Sequence, residues 1–426
     1  MLLTNIGELV TNASGVPGDL GVMRDAALVV EGGAIAWVGG ADAIPRTHPD
    51  TVVVDLEGRA VLPGFVDAHT HLVFAGDRSD EFARRLRGES YEQILAAGGG
   101  IHSTVAATRA ASDAELIALT AGRMARMLRT GTTTVEVKSG YGLTAAEELR
   151  LLDIATAAGS SVSSGTMTEG VELSPGSEQL ATWHVTVSSP ADMTVVRTFL
   201  GAHVPARGVD RADYVALVVE GMLPLVVGHA DFCDVFVDRG AFTVDDARRI
   251  LTAAAGLGLG LRLHAEQLSH TGAAALAAEL GAASADHLDH ATAEDAAALA
   301  AAGVVATLLP TVSFSMRTPQ APGRMLWDAG VTVAIATDCN PGTSNVESMP
   351  FVIALACLEM GLTPEEAVWA ATLGGARSLR LGDRGRVVPG AVADLVVLDT
   401  PSYLHLPYRP STDLVWKVMK SGEWVA

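Results

Sequence analysis

Lysine is nearly missing from this chain: only Lys138, Lys417 and Lys420 occur in 426 residues, and the formal net charge is −20. A field of that sign repels phosphate backbones and anionic lipid, which argues against nucleic acid and membrane surfaces as partners. Long apolar runs are missing too. No stretch approaches the roughly 20 uninterrupted apolar residues that a bilayer span needs. The start, Met1-Leu2-Leu3-Thr4-Asn5, has no basic segment leading into an apolar one, so no secretory signal is read there. The expectation is a cytoplasmic protein. Cysteine is scarce as well: Cys233, Cys339 and Cys357 are odd in number, widely spaced and form no C-x-x-C pair. They suggest neither a disulfide framework nor a structural zinc site, and Cys339 reads as a buried thiol rather than a nucleophile.

What the chain does have is apolar material. Hydrophobic residues make up 49% and charged residues 18%, enough for a large core. The length suits a barrel with a second, smaller unit. Between Val61 and Asp338, short β-rich runs alternate with longer helical patterns, as in βα units around a parallel sheet. Eight candidate strands follow: Val61–Val66, Thr132–Val137, Thr194–Leu200, Asp231–Val237, Gly260–His264, Ala283–His287, Gly303–Leu308 and Val331–Thr337. Eight such units close a (β/α)8 TIM-like barrel with its active site at the C-terminal ends of the strands. Ser112–Thr130, Thr243–Ala255 and Thr292–Ala302 carry helix-start signals.

Residues 61–382 are therefore read as the barrel, and residues 1–60 and 383–426 as two β-rich flanks. The flanks contain Ala26–Glu31, Ala34–Val38, Thr51–Asp55, Ala393–Leu398 and Leu414–Ser421. Neither flank is long enough for its own core, so they are expected to meet in one composite β-sandwich. Gly159–Pro190, rich in Ser, Thr, Gly and Glu, breaks the rhythm and reads as an insertion on the face away from the chemistry. Its His184 is given little functional weight.

The sharpest local signal is His69-Thr70-His71, directly after Val61-Leu62-Pro63-Gly64-Phe65-Val66. Residues two apart on extended backbone point to one side, so two imidazoles at the open end of a first strand can share a divalent metal. His264 ends the fifth predicted strand, His287 the sixth, and Asp338 follows the eighth. In a barrel these ends converge on one mouth. A third histidine would complete three neutral ligands, and Asp338 would add a carboxylate. His48, His102, His229, His270, His290 and His405 fall in loops, helices or flanks. A metal at the mouth lowers the pKa of water from about 16 toward about 7. Asp338 could then carry the proton to a leaving nitrogen, while His287 holds the attacked carbonyl oxygen or the water. Lys138, after the second strand, raises the alternative of a carbamylated, metal-bridging lysine. Its early position favours a structural role.

Pro63-Gly64-Phe65-Val66-Asp67-Ala68-His69-Thr70-His71 resembles the opening motif of the amidohydrolase superfamily, and Gly390–Asp399 resembles its closing strand. Longer stretches resemble the imidazolonepropionase family: Leu72–Arg78, Gly98–Ile101, Glu136–Leu143, Thr198–His203, His264–Ser269, Ser284–Leu288 and Thr337–Thr343. The Gly159–Pro190 segment is not part of that pattern. The resemblance implies hydrolytic opening of the imidazolone ring of 4-imidazolone-5-propanoate. It implies one zinc or iron ion per subunit, held by His69, His71, His264 and Asp338, and the residues do not choose between the metals. It further implies that Arg78, Tyr141, His203 and Gln267 contact the substrate, with Tyr91 close by. Asn340, Gly342 and Thr343 would hold substrate or product, and His287 would assist hydrolysis. The family varies between Glu and Gln at position 267, and a glutamine hydrogen-bonds but takes no proton as a carboxylate does. Arg78 offers a planar fork to the substrate's carboxylate, or alternatively a salt bridge to Asp77 or Asp80. Tyr141, between two glycines, sits in a loop able to close over a ring.

Two rivals stay open. One is another amidohydrolase, a cyclic-amidine or purine/pyrimidine deaminase, which would release ammonia. The other is a barrel that binds metal and ligand without turnover. The expected partner is a small molecule, and a homodimer is the default assembly.

Overall fold

Eight parallel strands form a ring in the computed structural model, which describes the chain except residues 47, 90–92, 94–97, 171–181 and 191. In chain order they are β1 (Phe65–Asp67), β2 (Thr132–Lys138), β3 (Thr194–Ala202), β4 (Phe232–Phe236), β5 (Gly260–Ala265), β6 (Ser284–His287), β7 (Val305–Leu308) and β8 (Val333–Ile335). Each pairs in parallel with the next. The seam between β8 and β1 closes beyond the strands proper. There Asp338 N–H donates to His69 O at 3.0 Å, and His71 N–H donates to Cys339 O at 3.0 Å. Closure of the barrel thus clamps His69-Thr70-His71 directly beside Asp338.

The first expected strand is divided. Val61–Pro63 pairs antiparallel with Leu395–Leu398 in an outer sheet, whereas Phe65–Asp67 pairs with β2 in the barrel. Gly64 is the crossing point. Its N–H donates to Asp394 O at 2.8 Å, and a Cβ there would lie 2.3 Å from Thr133 Oγ1. Every residue from Val61 to Asp67 is buried, so apolarity gives no mark of the change of sheet.

The flanks meet as expected, in an eight-stranded sheet outside the barrel. Leu2–Leu9 lies between Met23–Glu31 and Val61–Pro63, and Leu395–Leu398 continues the sheet through Val415–Lys420 to Glu423–Trp424. Leu3, Ile6, Leu28, Ile35, Leu395 and Met419 form its buried core.

Helices cover the barrel strands, and their starts follow the cap signals. Ser112 accepts from Glu115 N–H, and Thr243/Asp246 and Thr292/Asp295 form reciprocal capping boxes. The helix ending at Ala302 stops on Gly303 in the left-handed region, φ 68°. The Gly159–Pro190 segment contains two strands, Ser163–Gly170 and Thr182–Pro190, paired antiparallel as a separate ribbon. His184 lies on that ribbon, and its side chain, like all of Tyr91, lies outside the described residues.

Candidate active site

The chain leaves the barrel strands through strained residues. His287 has φ 75° and Asp338 φ 46°, a left-handed conformation that Asp, Asn and His accept more readily than other side-chain-bearing residues. Such backbone costs roughly 1–3 kcal/mol per residue and persists where the surroundings over-determine it. Here it turns both side chains into the mouth, where they join the pair from β1.

Five side chains meet there. Ligand atoms of His69, His71 and Asp338 lie within 4.8 Å of one another, as do those of His69, His264 and His287, so His69 belongs to both groups. Asp338 Oδ1 is 3.6 Å from His69 Nε2 and 3.4 Å from His71 Nε2. The His264 ring centroid is 4.6 Å from that of His69 and 5.2 Å from that of His287. A divalent ion fits this set: ligands at about 2.1 Å in a tetrahedron stand roughly 3.4 Å apart. The atoms are also in need of one, since His69 Nε2 and Asp338 Oδ1 are buried without hydrogen-bond partners. Burial is the largest cause holding His69, His71 and His287 well below the usual imidazole range. The rings are therefore neutral, the form that offers a lone pair. Burial likewise raises the Asp338 carboxyl well above its usual range, and a cation beside it would reverse that.

Above the histidines lies the rest of the polar furniture. His203 stacks on His71 with centroids 5.2 Å apart and planes at 22°. Its Nδ1 is 3.2 Å from Gly140 O, and burial, then the neighbouring His264, lowers its pKa to about 3. Tyr141 is buried, 5.7 Å from His203 and 6.1 Å from His71 between ring centroids. Its loop hangs on Glu148, whose buried carboxylate accepts N–H bonds from Gly140, Gly142 and Leu143 at 2.7, 2.9 and 2.6 Å. Gln267 is half-buried and makes no hydrogen bond of its own among the described residues. It is flanked by anchored neighbours: the Glu266 carboxylate accepts from Thr271, Gly272 and Ala274 N–H, and Leu268 N–H donates to Asp238.

Beside the mouth, a cleft of about 280 Å³ is lined by Phe74, Arg78, Phe82, Arg85, Gly342 and Thr343 among others. Arg78 pairs with Glu81 at 2.8 Å, not with Asp77 or Asp80. The Asn340 amide is spent on its own loop: Oδ1 accepts from Gly342 and Thr343 N–H, both at 2.8 Å, while Nδ2 donates to Asp338 O at 2.7 Å. It shapes the loop that presents Gly342 and Thr343.

Residues 60–425 match the model of the amidohydrolase family. The chain is 50% identical to the imidazolonepropionase of Salinispora arenicola over 428 aligned residues, covering 99% of this chain and 98% of that protein. It is 49% identical to the imidazolonepropionase of Streptomyces coelicolor with the same coverage. The chain belongs to the imidazolonepropionase family. Among solved structures, similar folds are an adenosine deaminase from Xanthomonas campestris with bound zinc and a 5-methylcytosine deaminase from Klebsiella pneumoniae. The first has TM-score 0.70 and 20% identity, covering 99% of this chain and 92% of that one. The second has TM-score 0.72 and 15% identity, covering 100% and 98%. At such identities they speak for the barrel architecture alone.

This imidazolonepropionase-family chain also carries a layer beneath the histidines of which the sequence pointed only to Lys138. His69 Nδ1 lies 2.7 Å from Asp286 Oδ2, and His264 Nδ1 3.0 Å from Asp234 Oδ2. The Asp286 carboxylate hydrogen-bonds the His69 ring so that Nε2 faces the mouth, the usual partnership of metal-binding histidines, while Asp234 accepts from the His264 backbone N–H at 3.2 Å. Lys138 Nζ is 2.7 Å from both Glu136 Oε1 and Asp234 Oδ2 and 3.6 Å from Asp286 Oδ2. Burial disfavours its charge, but Asp234 and Glu136 outweigh it and the pKa is raised. Arg262 donates to Ala68 O at 2.8 Å and Asp286 Oδ2 at 3.2 Å. Lys138 is thus a buried cation among carboxylates, in keeping with the structural reading. Beyond Lys138, the sequence signal for this layer is the period-two alternation that places Asp234 inside the barrel.

Proposed function

We propose that the chain hydrolyses 4-imidazolone-5-propanoate to N-formimidoyl-L-glutamate in histidine degradation, with one zinc or iron ion per subunit held by His69, His71, His264 and Asp338. The observation that carries this reading is the convergence of His69, His71, His264, His287 and Asp338 beside an arginine-lined cleft. The ion, when bound, supplies Lewis acidity that acidifies water and polarises the ring carbonyl.

The chain's own residues do the rest. Asp338 takes a proton from the attacking water and delivers it to the ring nitrogen as the carbonyl carbon–nitrogen bond breaks. His287 hydrogen-bonds the carbonyl oxygen as negative charge gathers on it, worth several kcal/mol in a dry site. Tyr141, His203 and Gln267 surround the ring, Gln267 as a hydrogen-bonding amide and not as a base. Tyr91 is assigned to the same wall by the family resemblance alone. Arg78 reads the propanoate carboxylate, and Gly342 and Thr343, shaped by Asn340, hold the substrate's far end. No helix among the described residues is long and apolar enough to cross a membrane, in keeping with a cytoplasmic enzyme. The proposed assembly is a homodimer, the commonest closed form, which sedimentation velocity measures.

The deciding experiment follows loss of imidazolone ultraviolet absorbance before chelation, after it, and after restoring zinc or iron. Metal-dependent loss supports the reading, and its absence from metal-replete protein sinks it. Asp338→Asn is expected to lower turnover by about 100-fold or more. Near-normal turnover would remove the proton-transfer role.

A further inference from the structure

We infer that Arg85 is a second carboxylate-binding residue, completing a two-arginine subsite with Arg78; this rests on the reading just proposed. Helix Ser79–Leu86 begins immediately after Arg78, and residues seven apart return to one helical face. Both guanidinium groups accordingly meet the same loop. A Cβ at Gly342 would lie 2.3 Å from Arg78 Nη1, while Gly342 O accepts from Arg85 Nη1 at 3.2 Å. Both side chains line the cleft of about 280 Å³ beside the mouth.

Charge makes Arg85 the unusual member. Arg78 is engaged by Glu81 and the neighbouring Arg84 by Glu89. Arg85 is half-buried, rests against Met316 Sδ and has no carboxylate within ion-pair distance among the described residues, although the charge of Glu81 reaches it. Burial, then the charge of Arg78, weigh against its protonated form, yet a guanidinium stays charged in proteins. The cleft lining holds two cations, Arg78 and Arg85, and the carboxylate of Asp77, while Glu81 pairs with Arg78, so Arg85 is the guanidinium left to face the cleft without an ion pair among the described residues. The propanoate side chain carries one negative charge. A carboxylate placed there would meet a planar fork and relieve the repulsion between the arginines.

The test compares wild type, Arg85→Met and Arg85→Lys as metal-loaded proteins, on 4-imidazolone-5-propanoate and on its uncharged propanamide analogue. Arg85→Met is expected to lower kcat/KM for the propanoate by about 10- to 100-fold, chiefly through KM, and to affect the propanamide far less. Arg85→Lys keeps the charge without the fork, should show an intermediate loss on the propanoate alone, and still reports if the methionine variant does not fold. Equal losses on both substrates, or no loss on the propanoate, overturn the inference. Calorimetry with N-formimidoyl-L-glutamate gives a readout without turnover. Wild type that binds this product tightly, Arg85→Met weakly, supports the subsite even where the proposed reaction fails. Equal binding by the two, or none by wild type, overturns it while leaving the reaction to its own assay.

Discussion

His69 Nδ1 stands 2.7 Å from Asp286 Oδ2, and both side chains are wholly inaccessible to solvent. The carboxylate accepts a hydrogen bond from the ring's Nδ1–H on the far side from Asp338, which fixes the tautomer and leaves Nε2 to face the mouth. Asp286 is itself held by Arg262 and by the Ser284 hydroxyl. Asp286→Asn keeps the shape but removes the charge that makes His69 a strong donor. Affinity for zinc should fall by about 10- to 100-fold, measured by competition with a chromogenic chelator. Unchanged affinity would mean that His69 needs no such support.

Lys138 offers a test of a different kind. Its amine is held by Glu136 and Asp234 at 2.7 Å each, out of solvent. Lys138→Met leaves these carboxylates and Asp286 with Arg262 as their nearby cation. Removing one partner of a buried pair costs about 3–5 kcal/mol, which should appear as a lower urea midpoint in metal-loaded protein. A carbamylated lysine would instead make activity depend on bicarbonate. Activity is expected to be indifferent to bicarbonate depletion, and dependence on it would revive the bridging role.

The difference between these two layers explains what the sequence made legible. His69, His71, His264, His287 and Asp338 were readable as candidates because each follows an apolar strand, and barrel geometry brings strand ends together without further information. Gly64 was not readable as a boundary. The chain is buried on both sides of it, and only the Thr133 side chain beside its missing Cβ distinguishes a sheet crossing from a continuous strand. Asp234 and Asp286 looked like ordinary strand acids, since alternation says which way a side chain faces but not which imidazole it meets. Arg85 was hidden for a different reason: its helix, Ser79–Leu86, buries no residue fully and leaves Phe82 and Leu86 exposed, so its apolar face does not say which side meets the mouth.

His203 gives a prediction in which the sign matters. Its pKa is held down to about 3 by burial, then by His264, whereas an unfolded imidazole titrates near 6.5. Below about pH 6.5 the unfolded chain takes up a proton at this position and the folded chain does not. Its contribution to stability is therefore complete above that pH and is lost as pH falls from there toward 3. His203→Gln removes this loss. The gap in melting temperature between wild type and variant should narrow from pH 7.5 to pH 5, and a gap independent of pH would show that His203 is not held neutral. A bound cation at His71 would push His203 further in the same direction. The acid limb of the pH–rate profile should accordingly persist in the variant.

Gly342 separates packing from binding. The Cβ of an alanine there would lie 2.3 Å from Arg78 Nη1 and 2.9 Å from Arg78 Cζ. Those atoms end a long, flexible side chain, so the collision is relieved by moving the guanidinium, not the backbone. Stability should change by about 0.5 kcal/mol or less, as for ordinary surface substitutions. Binding should change much more. A guanidinium displaced by about an ångström no longer presents its fork to the carboxylate, and KM for 4-imidazolone-5-propanoate is expected to rise by about 10-fold. Gly342→Ala with an unchanged melting temperature and a raised KM would place this wall of the cleft, Gly342 with Arg78, against the substrate. An unchanged KM would mean that the arginine serves only its ion pair with Glu81. A lowered melting temperature would show that the loop, rather than the arginine, gives way.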